Sequence, residues 1–435
     1  MRCRIHRGCH EIGGNCVEIE FQGQRIVLDV GLPLSDSEPK TVPEISGFSS
    51  ADETLLGVFI SHSHPDHYGF LEQIKEPVPI YMGAAARRII EVSSFFTPLP
   101  GLGHFQPKTL ADRRPIQLGP FTVTPFRIDH SAFDSYCLLI EAGGKRLLYT
   151  GDLRGHGRNA AHFEELVSSP PPDIDLLICE GTQVGRTPDY AYPNEESVAA
   201  RMAEIFQQTE GMGLVWCSSQ NIDRLVSVWE AAERSGRKLI LDMYTAEIVR
   251  AADHDDLPSV AKEDVKVFLP RSQKRQIMAR KAFDIPAPYY PHRIYPESLA
   301  EAAHESVMVC RPSMLRELRR ANCLEGSSFI SSLWSGYLNR SQKHLSVLSE
   351  PSPLSSPAAD HAPNGEMTGG QTSSQQAVPH FHVHTSGHAT VEQLERLLSA
   401  FPRSRVVPIH LDDAERFAEL AANVELKNDL EWFRV

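Results

Sequence analysis

The sequence contains no run of apolar residues long enough to cross a membrane as a helix, because such a helix needs about 20 of them in succession. Residues 1–6 carry some positive charge, but no apolar stretch follows them, so a secretory signal is not predicted. We therefore expect a cytoplasmic protein without a membrane segment.

Cysteine pairs with the spacing of a zinc-binding C-x-x-C motif are also lacking. The eight cysteines are spread from Cys3 to Cys323, which argues against a structural zinc site built from thiolates. A disulfide scaffold is not expected in a chain of 435 residues predicted to be cytosolic. Most of the cysteines are predicted to be small buried apolar residues.

An excess of positive charge is missing as well. The 43 lysines and arginines are outnumbered by 56 acidic residues, and the formal net charge is −13. This balance argues against broad, non-specific attraction to a polyanion. It leaves room for a nucleic-acid enzyme whose positive charge is concentrated in one cleft and supplied partly by metal.

The pattern of predicted secondary structure changes near residue 190. Before it, short strands alternate with tight turns, as in the hairpin signal of residues 17–29 around Gly23. After it, helices and strands alternate, which predicts an inserted, mostly parallel α/β unit. Asn194 is predicted to cap a helix reaching about Gln208, and further helices are predicted at 84–95, 221–234, 390–400 and 412–422. The predicted division is 1–190 and 380–435 for the first domain, 191–345 for the insertion, and 346–379 for a flexible Ser/Pro-rich loop.

Four side chains that bind metals well occur within six residues at the end of an apolar strand, residues 56–60. They are His62, His64, Asp66 and His67. Imidazole and carboxylate suit zinc, and a dense cluster at a strand end can place ligands around two ions. A solvated polar loop is the alternative explanation, but four such residues in this pattern favour a metal site.

One cluster cannot complete two coordination shells, so further ligands are expected at other strand ends. His130 follows the predicted strand 121–128, Asp152 follows the strand 147–151, and His410 follows the strand 405–409. Each of them alone could be an ordinary polar residue. Their common position after strands favours ligation of metal.

This order of motifs resembles the metallo-β-lactamase superfamily, in which H-x-H-x-D-H is followed by a histidine, an aspartate and a histidine, each after a strand. Asp29 resembles the first superfamily motif, an aspartate that supports the site. The resemblance implies an αββα sandwich and two zinc ions, with manganese as an alternative. It also implies the ligands: His62, His64 and His130 for one ion, Asp66, His67 and His410 for the other, and Asp152 bridging them with a hydroxide.

Further motifs narrow the resemblance within the superfamily. The α/β stretch of about 190–340 resembles the β-CASP insertion of nucleic-acid-processing members. Residues 384–389, His-Thr-Ser-Gly-His-Ala, resemble the H-x-S-G-H motif of ribonuclease J. Residues 179–182, which include Glu180, resemble the acidic β-CASP motif. The implied architecture is therefore an α/β fold, a metallo-β-lactamase sandwich with an inserted β-CASP domain.

Phosphodiester cleavage needs a proton for the leaving oxygen, and His388 is the candidate general acid. Glu180 would orient His388 or stabilise its charged form. His384 and Ser386 could donate hydrogen bonds to a phosphate. The candidate catalytic residues are Asp66, Glu180 and His388.

Ser218, Ser219 and Asn221 precede a predicted helix, where backbone N–H groups favour an anion. They are candidate substrate-phosphate ligands. Ordinary capping of the helix is the alternative interpretation of the serines.

The predicted function is that of a ribonuclease acting on single-stranded RNA with a hydroxide activated by two zinc ions, and a homodimer is one option for its assembly. RNA is preferred over DNA because the resemblance implies it: β-CASP members with histidine at the last motif are mostly RNA enzymes. Three alternatives stay open, namely a DNA nuclease, a small-molecule ester or lactone hydrolase, and a non-catalytic scaffold that binds nucleic acid.

Overall fold

The computed structural model describes residues 1–34, 40–187, 191–336, 338, 345–349 and 377–435. Two sheets form a first unit. The first has the strand order β20-β1-β2-β3-β4-β5-β6 and the second β19-β11-β10-β9-β8-β7. The first sheet comprises β1 Arg2–Arg7, β2 Cys16–Phe21, β3 Gln24–Leu28, β4 Leu55–Phe59, β5 Ile80–Gly83, β6 Lys108–Leu110 and β20 Trp432–Arg434. The second comprises β7 Ile116–Leu118, β8 Phe121–Arg127, β9 Tyr136–Ala142, β10 Lys145–Tyr149, β11 Leu176–Glu180 and β19 Arg405–Ile409.

Tight turns set the register of two hairpins in these sheets. Gln22 and Gly23 both have positive φ (54° and 81°) between β2 and β3, and Gly143 and Gly144 (57° and 72°) do the same between β9 and β10. Two successive residues with positive φ match the twist of antiparallel strands. Val17 therefore pairs with Leu28, and Lys145 pairs with Ala142.

The two sheets pack face to face with helices on their outer faces. Ile19 and Ile26 of the first sheet share one buried cluster with Val123 and Ile140 of the second. The outer face of the first sheet is covered by α1 Pro65–Tyr68 and α2 Ala84–Phe96, and that of the second by α3 Ala160–Ser168, Val391–Ala400 and Ala414–Ala418. This αββα order confirms the predicted fold class.

A third sheet lies between β11 and β19 in the chain, and all of its strand pairs are parallel. Its order is β15-β14-β13-β16-β12-β17-β18, and its two faces are covered by separate apolar clusters, as expected for a parallel sheet. Its strands are β12 Gly213–Trp216, β13 Lys238–Asp242, β14 Val265–Phe268, β15 Arg293–Ile294, β16 Ser306–Val309, β17 Ser328–Ser331 and β18 His380–His382. Its helices are α4 Glu195–Gln207, α5 Ile222–Arg234, α6 Met243–Ala252, α7 Arg271–Ala279, α8 Leu299–Ala302 and α9 Leu315–Arg320.

The third sheet and its helices form the second unit, for which some of the local predictions are confirmed and others are not. Asn194 caps α4 as predicted, with a reciprocal capping box to Ser197. The segment 380–435 was assigned to the first domain, but β18 pairs with β17 and so extends the third sheet. Most of the predicted loop 346–379, including 350–376, lies outside the described residues.

The last predicted helix is shorter than the sequence pattern suggested. The pattern predicted 412–422, but the helix spans only Ala414–Ala418. The chain then turns so that Val424 bridges to Val406 of β19 in parallel. Pairing with a buried strand therefore replaces the last helical turns.

The described residues include no helix that is both long enough and apolar enough to cross a bilayer. All eight cysteines are buried and free, and their burial agrees with the prediction that most of them are small buried apolar residues.

Candidate metal centre

Asp29 supports the segment that carries the first motif. Its backbone is left-handed (φ 56°), and its carboxylate accepts hydrogen bonds from the Ser61 N–H at 2.7 Å and from the hydroxyls of Ser61 and Tyr149 at 2.8 and 2.6 Å. Nδ1 of His67 lies 2.7 Å from the same carboxylate. A carboxylate on one ring nitrogen fixes the tautomer and directs the other nitrogen into a metal site. Asp29 thus acts as the supporting residue that the motif implies.

The seven side chains predicted as metal ligands converge at the ends of their strands. They form two groups, and the candidate ligand atoms within each group lie within 4.8 Å of one another. Asp152 belongs to both groups, and all members are buried except His64, which is half-buried. The groups are His62, His64, His130 and Asp152, and Asp66, His67, Asp152 and His410.

The Asp152 carboxylate is the central group of this cluster. Histidine nitrogens lie 3.2 to 3.9 Å from its oxygens, contributed by five different rings. Neither carboxylate oxygen has a hydrogen-bond partner, and the same is true of Nε2 of His62 and Nδ1 of His130. Buried polar atoms are normally paired. These orphaned atoms, all of types that bind metal, fit divalent cations.

The protonation of the histidines follows their surroundings. Burial lowers the pKa of His64 to about 4 and that of His62 and His130 well below the ordinary value. Burial also disfavours the charged form of His67, but Asp152 and Asp29 raise its pKa well above the ordinary value. Neutral imidazole is the form that binds a metal, so three of the candidate ligands are ready for coordination at neutral pH.

His410 is oriented by a residue that the sequence did not single out as a site residue. Its Nδ1 lies 2.9 Å from the Thr182 hydroxyl, and its Nε2 lies 3.3 Å from Oδ2 of Asp66. The His410 backbone is left-handed (φ 56°), and its N–H donates to the carbonyl of Gly8. Thr182 lies two residues after Glu180, so its proximity to that motif was the available signal.

Glu180 and His388 lie next to the two groups of candidate metal ligands, the two donor groups. Nδ1 of His388 is 3.1 Å from Oε2 of Glu180, whose Oε1 accepts the Leu153 N–H at 2.8 Å. Asp152, Glu180, His388 and His410 form a third group of potential ligand atoms within 4.8 Å. Burial would lower the pKa of His388, but Glu180 and Asp152 raise it to about 9.

The loop that carries His388 is held by buried donors that the sequence analysis did not identify. The carbonyl of Ser386 accepts from Arg154 at 3.0 Å and contacts Nε2 of His156 at 2.9 Å. The Ser386 hydroxyl accepts from the His388 N–H and from Gln183, each at 3.0 Å. Ser386 therefore shapes this loop, whatever it contributes to phosphate binding.

A buried charge cluster joins the two units behind this loop. Arg154 of the first unit contacts Asp129 at 3.4 Å and Glu195 of α4 at 3.3 Å, and it hydrogen-bonds Asp223 of α5. Arg224 contacts Glu195 at 2.9 Å and Nδ1 of His384 at 3.2 Å. Burial would raise the pKa of Glu195, but Arg224 and Arg154 hold it far below the ordinary value. The Glu195 carboxylate therefore remains charged and binds both guanidinium groups.

The three residues predicted to bind phosphate before α5 do not join the metal groups. Asn221 caps α5, and its side chain accepts the Arg224 N–H at 3.0 Å. The Ser219 hydroxyl is buried 2.7 Å from that of Thr245, whereas Ser218 is exposed. Helix capping, the alternative considered for the serines, is performed by Asn221.

Comparison with known proteins agrees with this geometry. A family model described as "Beta-lactamase superfamily domain" matches residues 25–211. Ribonuclease J of Sinorhizobium meliloti is 26% identical over 231 residues, covering 50% of this chain and 40% of the relative. Ribonuclease J of Mycobacterium tuberculosis is 22% identical over 303 residues, covering 60% and 50%. Residues 25–211 thus match the β-lactamase superfamily domain, and the chain is similar to ribonucleases J.

The similarity of this chain to the ribonucleases J is partial. The matched segments span half or less of each of these two ribonucleases. A solved structure of a protein of unknown function from Enterococcus faecalis V583 is similar over 99% of both chains, with a TM-score of 0.73 and 19% identity. That likeness supports the fold of the whole chain, including the unit built on the third sheet.

Proposed function

We propose that this protein is a metal-dependent ribonuclease that hydrolyses phosphodiester bonds of single-stranded RNA. The observation that carries the proposal is the His388–Glu180 pair, which lies beside two donor groups that share Asp152. A metal site with a proton donor beside it is suited to the hydrolysis of a phosphodiester bond. The similarity to proteins named ribonuclease J supports RNA as the substrate.

Each donor group would hold one ion, zinc or manganese, with Asp152 shared between the groups. Bound divalent ions supply a potent nucleophile at neutral pH and offset negative charge on a reacting phosphate. The chain orients the ligands for this purpose: Asp29 fixes His67, and Thr182 fixes His410. Both contacts occupy Nδ1, so Nε2 of each ring is left for the metal.

His388 is placed to donate a proton to the leaving oxygen. An ionised carboxylate only accepts hydrogen bonds, so Nδ1 of His388 donates to Glu180, and Nε2 is the nitrogen left for the substrate. In His384 the roles of the ring nitrogens differ, because its hydrogen-bond partner is a donor. Arg224 only donates, so Nδ1 of His384 accepts, and its proton lies on Nε2, where it can bind a phosphate oxygen.

The direct test is cleavage of 5′-labelled single-stranded RNA and of matched DNA, each with a 5′-monophosphate or a 5′-hydroxyl, in zinc or manganese. We expect metal-dependent cleavage of RNA by the wild-type protein and none by the His64→Ala/Asp66→Ala variant, which loses one ligand from each donor group. Cleavage of DNA alone would identify a DNA nuclease. Hydrolysis of simple esters without cleavage of either polymer would contradict the proposal.

Replacing His388 by alanine is expected to lower kcat for RNA cleavage by about 10²- to 10⁴-fold, the usual contribution of a positioned acid. Bound metal, measured by mass spectrometry, should remain at the wild-type level because the two donor groups of seven ligands stay complete. His104→Gln, a change at an exposed histidine, is the matched control and should leave kcat unchanged. An undiminished kcat, or loss of metal from the His388→Ala variant, would count against the proton-donor role.

A further inference from the structure

Residues 271–295 differ in charge from the chain as a whole. This segment contains six lysines and arginines and one acidic residue, whereas the whole chain has a formal net charge of −13. It runs from α7 through β15 to Tyr295. We call residues 271–295 the basic-aromatic surface.

The same segment exposes large apolar side chains. Met278, Phe283, Tyr290 and Tyr295 are 56%, 59%, 58% and 50% exposed, and they make up half of the eight exposed large hydrophobic residues in the described part of the chain. Exposed apolar residues scattered singly need no explanation, but a concentration of them marks an interaction site. Three of the four are aromatic, and aromatic rings can stack on bases.

The positive charge of this surface is largely uncompensated. Arg271 lies 3.7 Å from Glu317, but the other cations form no ion pair with any residue in the described ranges. Arg293 instead lies over the ring of Tyr295 at 5.0 Å, and its Nε is buried without a hydrogen-bond partner. These other cations are Lys274, Arg275, Arg280, Lys281 and Arg293. In the first unit, by comparison, the exposed Arg396 pairs with Glu164 at 2.6 Å.

Buried neighbours hold these exposed groups in place. On α7, Gln273 and Ile277 are buried, so Lys274, Arg275 and Met278 share the opposite, exposed face of the helix. Tyr289 is buried, and its hydroxyl donates to Glu247 at 2.6 Å. This anchor leaves the adjacent Tyr290 facing solvent. A pre-positioned ring loses little entropy on binding.

The basic-aromatic surface begins at the same edge of the third sheet as residues 384–388, the candidate catalytic loop. Because the third sheet is parallel, all of its strands end at one edge, where His384 follows β18, Arg271 follows β14 and Tyr295 follows β15. Six strand spacings separate β18 from β15, which is about 29 Å. Ser219 and Arg311 follow the intervening strands β12 and β16 and contact each other. Polar groups therefore lie between the loop and the surface, and Arg311 among them is paired with Asp242.

We propose that the basic-aromatic surface binds the part of a single-stranded RNA that extends beyond the metal centre. Its cations would contact phosphates, and its exposed rings would stack on bases, which is how proteins bind single strands without sequence preference. The inference rests on the proposed ribonuclease function. A protein surface, such as a second copy of this chain, is the competing occupant, but interleaved cations and exposed rings, at the sheet edge that also carries the loop of His384, favour RNA.

The test compares binding of a fluorescent single-stranded RNA longer than about 16 nucleotides, the upper end of typical site sizes, to the full chain and to Lys274→Gln/Arg275→Gln/Lys281→Gln. Each phosphate contact contributes about 0.7 to the slope of log affinity against log salt concentration. We expect the variant to bind about 10- to 100-fold more weakly at moderate salt, with a slope smaller by about 2. Tyr290→Ala/Tyr295→Ala should weaken binding by about 30-fold or more and leave the slope unchanged.

The matched control is Arg113→Gln/Arg396→Gln/Arg403→Gln, which removes the same charge from exposed positions of the first unit. Equal affinities and slopes for the two triple variants would overturn the inference while leaving the ribonuclease proposal intact. A change from dimer to monomer in sedimentation, with unchanged RNA affinity, would also overturn it and identify a contact between copies. If the wild-type protein neither binds nor cleaves RNA, both proposals fail.

Discussion

Replacement of Asp152 by asparagine is expected to remove bound metal and to lower RNA cleavage by about 1000-fold or more. Asparagine keeps the shape of the side chain but replaces a charged oxygen by an amide N–H2 group, which cannot bind a cation. Asp152 is shared by both donor groups, so a single substitution weakens both. Loss of several kcal/mol of charge stabilisation corresponds to this decrease in rate.

Metal per chain would be measured by mass spectrometry after dialysis, in parallel with the cleavage rate. Asp256→Asn, at an exposed position, is the isosteric control and should retain both metal and activity. Wild-type metal content and rate in the Asp152→Asn variant would show that the shared carboxylate is not a ligand.

Replacement of Arg154 by methionine is expected to reduce the free energy of unfolding by about 3–5 kcal/mol. Arg154 is fully buried and contacts Asp129, Glu195 and Asp223. Methionine fills similar space but leaves carboxylates buried without their counter-charge, which is the costly way to break a buried ion pair. Urea unfolding followed by circular dichroism measures the change.

The control for Arg154 is the exposed pair Arg396–Glu164, whose side chains are both about half exposed. Arg396→Met should cost no more than about 1 kcal/mol, because solvent screens such pairs. Arg154→Lys keeps the charge but loses the planar fork, so an intermediate loss is expected, and it remains measurable if the methionine variant is too unstable to purify. Equal unfolding midpoints for Arg154→Met and Arg396→Met would contradict the role given to the cluster.

The Arg154 variants are also expected to change the position of the loop that carries His388. Arg154 donates to the carbonyl of Ser386 at 3.0 Å, and Ser386 is two residues from His388. A loop that loses the hydrogen bond from Arg154 would misplace His388, the proposed proton donor, more than the candidate metal ligands. In Arg154→Lys we therefore expect kcat to fall while metal content stays close to the wild-type value.

The candidate metal centre and the class of fold could both be predicted from the sequence alone. His62, His64, Asp66 and His67 lie within six residues, and His130, Asp152 and His410 each follow a strand that its apolar pattern reveals. Ligand type and strand ends are local features, so they can be predicted without knowing how the strands pair. The change near residue 190 from short strands to alternating helices and strands similarly indicated the second α/β unit.

The distant residues that support that centre became apparent only from the packing of the two units. Arg154, Glu195 and Arg224 look like ordinary charged residues in the sequence, and their burial against one another follows from the packing of two units. The assignment of β18 to the third sheet, and the common edge shared by His384 and the basic-aromatic surface, depend on the order of parallel strands. That order is set by contacts between segments far apart in the chain, which no local pattern specifies.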